Sequence, residues 1–72
     1  MSVNMVPVLS SNVGAVGYDD ESQELVVEFT SGSIYRYSGA PRSALDAMLN
    51  SPSPGSYFAR HIRNAYPYVK EA

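Results

Sequence analysis

Apolar side chains recur at every second position through ELVVEFT, with Leu25, Val27 and Phe29 in phase, and this alternation predicts a half-buried β-strand. The preceding VGAVGY, residues 13 to 18, is short, apolar and glycine-bearing, and DDESQ between the two segments reads as a polar turn. A hairpin follows from that order. IYRYS continues the pattern after TSGS, so a second hairpin is expected, and its loop length decides which way every side chain of the third strand points. A two-residue loop would force Ser31 to positive φ, whereas a three-residue loop, Thr30-Ser31-Gly32, places glycine at the left-handed position of a bulge. In that register Phe29 faces Ser33, Val27 faces Tyr35 and Leu25 faces Tyr37, with all the apolar members on one side. Glu28 and Arg36 then lie diagonally on the other side, within reach of an exposed ion pair worth about 0–1 kcal/mol.

The pattern changes period after Pro41. Leu45, Met48 and Leu49 recur at three- and four-residue spacing, which predicts a helix over PRSALDAMLN with Pro41 as its first residue. SPSPG breaks the chain, and Ser53 followed by Pro54 reads as an N-cap and first position of a second helix running to about Ala65, its apolar stripe Phe58, Ile62 and Ala65. YPYVKEA reads as an extended tail, because Pro67 prevents a clean continuation. The expected architecture is α+β: a three-stranded antiparallel meander, with room for an extra short N-terminal strand at MVPVL that Pro7 would hold at the edge, followed by two helices packed on one face.

Length and composition narrow the functional classes. Seventy-two residues make one domain, expected to have its core at about residues 8 to 68 and flexible termini. The chain has no cysteine and one histidine, so neither a disulfide framework nor a thiolate or histidine-rich metal site is available, and no cofactor is implied. No run is long and apolar enough to span a membrane and the N-terminus lacks signal-peptide features, so a soluble cytoplasmic protein without a membrane partner is expected. The net charge of -2 conceals an asymmetry: all five charges of the first thirty residues are acidic, and the remainder, carrying Arg36, Arg42, Arg60, Arg63 and Lys70, sums to +3.

Catalysis finds little support. His61 could serve Ser53 or Ser56 as a base, yet no spacing supplies the orienting acid, and the acids of DDESQE sit in an expected exposed turn. A non-enzymatic binding module is the better reading. Two places carry its chemistry. Tyr35, Arg36 and Tyr37 set rings around a cation, as either core-margin tyrosines beside a surface arginine or a stacking platform. On the second helix, Tyr57, Phe58, Arg60, His61 and Arg63 interleave rings with positive charge, the combination that unpaired nucleotides engage through base and phosphate. Ser10, Ser11 and Asn12 either fix the turn into the first strand or floor a polar pocket.

Ser10-Ser11-Asn12 ahead of Gly17-Tyr18-Asp19, then Tyr35-Arg36-Tyr37, Pro41, and Gly55-Ser56-Tyr57-Phe58 leading to Ile62 and Arg63, form an ordered set over residues 8 to 68. This set resembles the KTSC domain, named for its place at the C-terminus of some lysyl-tRNA synthetases and also found as stand-alone bacterial and phage proteins. The resemblance implies a family without an assigned function, for which RNA binding is suggested by the synthetase fusion alone. Two other readings stand beside RNA: a protein-interaction or homodimerising module, and capture of a small anion such as a nucleotide. With so few cations, any contact to RNA is expected to be short and local.

Overall fold

The computed structural model describes residues 3–71. Five strands form one antiparallel sheet in sequential order: β1 (Val6–Pro7), β2 (Val13–Asp19), β3 (Glu24–Phe29), β4 (Ile34–Ser38) and β5 (Tyr68–Lys70). Helix α1 (Arg42–Asn50) and a second helix, α2 (Pro54–Tyr57), which runs directly into a π-helical turn over Phe58–Ile62, cover one face. The α+β class and the antiparallel meander are as expected, but the sheet has five strands rather than three. MVPVL supplies the short edge strand β1. The segment read as an extended tail is instead β5, held to β4 by the Ser38 N–H donating to Pro67 O at 2.9 Å and the Glu71 N–H donating to Ile34 O at 2.7 Å.

The β3–β4 register is the one the loop chemistry predicts, with Val27 opposite Tyr35 and Leu25 opposite Tyr37. Gly32 has φ +97°, its N–H donates to Phe29 O, and the Phe29 N–H donates to Ser33 O, both at 2.9 Å. Positive φ is the conformation glycine adopts without steric cost, so the turn sets the alternation for everything downstream. On β2 the pairing slips between Val13 and Ala15. This bulge explains how Val13 and Val16, three residues apart and therefore on opposite sides of a regular strand, are both fully buried.

The core consists of Val13, Val16, Leu25, Val27 and Tyr37 from the sheet, packed against Ala44, Leu45 and Met48 of α1 and Phe58 and Ile62 of the second helix. Three helical expectations need correction. Pro41 is extended (ψ 159°) and caps α1 rather than opening it, which agrees with the loss of its amide hydrogen at either position. Leu49 is 37% exposed, because α1 meets the sheet along a narrow stripe through Leu45 and Met48. Ala65 is exposed because the π turn ends the α-helical phase before reaching it. Tyr18 ties the sheet to the start of α1 by donating its hydroxyl hydrogen to Ala40 O at 2.6 Å. No helix among the described residues is long and apolar enough to cross a membrane.

Candidate functional site

Rings standing off β3, β4 and β5 meet Phe58 at one end of the covered face. Phe29 packs edge-on to Tyr35 and Phe58 at centroid distances of 5.4 and 5.3 Å, Tyr37 packs edge-on to Phe58 at 5.4 Å, and Tyr35 and Tyr37 lie nearly parallel at 6.4 Å. Tyr68 leans against Tyr35 at 5.3 Å and Tyr37 at 5.6 Å. Together they bound an open cleft of about 600 Å³, rimmed by Asn12, Thr30, Ser31 and Ser33 on one side and by Arg63 and Asn64 on the other. Tyr37 and Phe58 are nearly buried and form the floor, whereas Tyr68 is 56% exposed and stands as a wall. Burial pushes the Tyr37 phenol up to about 12, with Tyr35 and Tyr68 adding to the rise and Arg63 opposing it. Tyr37 therefore stays neutral at physiological pH.

Arg63 reaches this cleft because of the π turn. The Arg63 N–H donates to the carbonyl of Phe58, five residues back, at 3.0 Å. The wider turn returns residue 63 over residue 58, where α-helical winding would swing it away from the sheet. A cation is thereby set at the edge of an aromatic floor, and among the described residues Arg63 forms no ion pair.

The expected site residues separate into three groups. Tyr35, Tyr37, Phe58 and Arg63 converge on the cleft. Tyr57 and His61 stack on each other at 4.5 Å and, like the exposed Arg60, do not line it. No described hydrogen bond links His61 to Ser53, Ser56 or a carboxylate. Arg36 lies on the opposite face of the sheet, and the expected pair with Glu28 is not formed. Its guanidinium instead donates to Asp19 at 2.9 Å, to Glu24 at 3.2 Å and to Glu71. Glu24 and Glu28 are equally diagonal to Arg36, each two residues from Val26, but Glu24 has Asp19 as its paired neighbour on β2, so that side offers two carboxylates to one fork-shaped donor. The guanidinium in turn holds the Asp19 carboxyl below the ordinary range, and hydrogen bonds from Ser22 and Arg36 do the same for Glu24.

Sequence reasoning missed Phe29 and Tyr68 as cleft residues. Phe29 was readable only as an apolar strand position, and Tyr68 acquires its place through pairing with a strand thirty residues away in sequence. Both readings of Ser10-Ser11-Asn12 find support. The Ser10 hydroxyl accepts from the Val13 and Asn12 amides at 3.3 and 3.4 Å and donates to Asn12 Oδ1 at 2.9 Å, which fixes the turn into β2, and Asn12 also lines the cleft. Gly55 lies against this turn so closely that a Cβ there would stand 2.5 Å from Asn12 Oδ1 and 2.6 Å from Ser10 Oγ. A second depression, of about 400 Å³ beside α1, is edged by Asp19, Asp20, Glu21 and Asp46; Arg42 there is already bonded to Asp20 at 3.0 Å. That lining repels anions.

Residues 9–66 match the KTSC domain. An uncharacterized protein of Stutzerimonas stutzeri is 43% identical over 53 residues, covering 74% of this chain and 75% of that protein. A lysine–tRNA ligase of a Nostoc species is 38% identical over 58 residues, which take in 81% of this chain but only 10% of the ligase. The crystal structure of a KTSC domain protein from Yersinia pestis superposes with a TM-score of 0.91 at 27% identity, covering 99% of this chain and 100% of that one. In sequence and in fold alike, this chain belongs to the KTSC domain family.

Proposed function

We propose that the chain is a non-catalytic binding module whose aromatic cleft holds one or two unpaired nucleotides of RNA. The observation that carries this reading is the placement of Arg63, without a carboxylate partner among the described residues, at the rim of a cleft floored and walled by Tyr35, Tyr37, Phe58 and Tyr68. Unpaired bases stack on aromatic side chains while a guanidinium takes the adjoining phosphate. Asn12, Asn64, Ser31 and Ser33 supply hydrogen-bonding groups for base edges or ribose. The occurrence of a related segment within lysine–tRNA ligases, whose substrate includes an RNA, supports the same ligand class.

Fluorescence anisotropy with short unstructured RNA tests the proposal. Tyr35→Ala should weaken binding by the roughly 1–3 kcal/mol of one stacked base, about five- to 150-fold. Arg63→Glu should weaken it and reduce the salt dependence by about one counterion, whereas Arg60→Glu should leave both nearly unchanged. RNA binding that ignores Tyr35 and Arg63 would sink the proposal. The cleft volume also suits a free nucleotide, since small-molecule sites run to about 300–1,000 Å³. A thermal shift with a mononucleotide and none with homopolymer RNA would establish that second reading instead.

A further inference from the structure

The outer edge of β5 is a ladder half made. Val69 and Glu71 direct their backbone groups at β4, as the Glu71 to Ile34 hydrogen bond and the Arg36–Val69 pairing require, so the N–H and C=O groups of Tyr68 and Lys70 point away from the sheet. Tyr68 and Val69 are also large apolar side chains left 56% and 64% exposed. The opposite edge is closed to such pairing, because β1 has two residues and one of them, Pro7, has no N–H.

We infer that two copies of this chain pair edge to edge through antiparallel β5 strands, with the two-fold axis at Val69. The register follows from the sequence YVK. An axis at Val69 sets each Tyr68 opposite the partner's Lys70, so that all four open N–H groups and all four open carbonyls of the two strands find partners. Side chains agree with this register. Val69 meets the partner's Val69 on one face, and on the other the partner's Lys70 ammonium lies beside the Tyr68 ring, an attractive cation–aromatic arrangement. An axis at Lys70 would oppose two ammonium groups, and an axis at Tyr68 would leave the Lys70 groups to pair outside the strand. Charge complementarity therefore selects one occupant and one register. Three residues a side fall short of the roughly 1,200–2,000 Å² buried in a stable specific interface, so the dimer forms weakly and its population depends on concentration. In the dimer both aromatic clefts lie on one face of a continuous ten-stranded sheet, and Tyr68, a wall of each cleft, is fixed by its new partner.

Sedimentation velocity of the full chain over a range of concentrations should give a mass that rises from monomer toward dimer. Val69→Asp, which sets two carboxylates against each other at the axis while remaining opposite Arg36, should keep the chain monomeric with unchanged far-ultraviolet circular dichroism. Lys70→Pro should do the same by removing an outward N–H that β4 does not use. The natural chain has no cysteine, so a direct measure is available: under mild oxidation Val69→Cys should cross-link at least tenfold faster than Ala59→Cys, placed on an exposed helical position. Equal cross-linking rates overturn the inference, and so does a dimer that persists in both Val69→Asp and Lys70→Pro. None of these measurements involves RNA, so their outcome is independent of the function proposed for the cleft.

Discussion

At the scale of single residues, Gly55 shows how a position is fixed by its neighbours rather than by its own backbone. It is the second residue of the second helix and has ordinary helical geometry, yet its missing side chain is what lets Ser10 and Asn12 close against it. Both side chains are committed, Ser10 to three hydrogen bonds and Asn12 to one of these, so they have little freedom to move aside. Gly55→Ala should therefore destabilise the fold by about 1–3 kcal/mol, the ordinary cost of overpacking, measured as a lowered midpoint in urea with unchanged slope. The turn-fixing role of Ser10 was readable from the habits of serine and asparagine before a strand. Its contact with Gly55 was not, because forty-five residues separate them and no local rule joins them.

At the scale of elements, the β3–β4 hairpin and the π turn contrast. The hairpin was legible because its register depends on three consecutive residues and on one conformational preference, that of Gly32 for positive φ. Nothing lies within 4 Å of a Cβ built at Gly32, so Gly32→Ala tests backbone strain alone. It should cost about 1–2 kcal/mol, seen as a melting temperature lower by roughly 4–16 °C, with the aromatic cleft otherwise intact. The π turn was not legible. FARHI is compatible with α-helical winding, which would equally place Phe58 and Ile62, four residues apart, on one buried face, so nothing local to the segment marks the wider turn. The sequence groups Arg60, His61 and Arg63 on one helix, whereas of these three the structure brings only Arg63 to the aromatic rings.

At the scale of the whole molecule, Arg36 joins β2, β3, β4 and the residue that follows β5 through one guanidinium. The acidic first thirty residues and the basic remainder of the chain are thus partly spent on each other, with Arg42 and Asp20 forming another such pair. Among the described residues, Arg60, Arg63 and Lys70 are the cations outside ion pairs, so the RNA contact proposed above would be local. The Arg36 cluster also predicts an acid response. Asp19 and Glu24 titrate below their ordinary values of 3.8 and 4.5 in the folded protein, so the unfolded chain takes up their protons first. Their contribution is complete above about pH 4.5 and is lost as pH falls through and below these values. Urea unfolding at a series of pH values should show this decline, and Arg36→Met should make it shallower, since Asp19 loses its main lowering partner while Ser22 still holds the Glu24 carboxyl down.

What the sequence by itself determined was the class of fold, the family resemblance, the register of the central hairpin and the side of the sheet on which Tyr35 and Tyr37 lie. Each depends on alternation, turn chemistry or ordered motifs, which act over a few residues or survive as residue identities. Tertiary structure alone decided that YVK becomes the fifth strand, that Arg36 pairs with Asp19, Glu24 and Glu71 rather than with Glu28, and that Arg63 faces the tyrosines. Those outcomes depend on which distant backbone edge is open, on which carboxylates other strands bring within reach, and on how the second helix winds as it meets the sheet, and none of these is encoded within a single stretch of the chain.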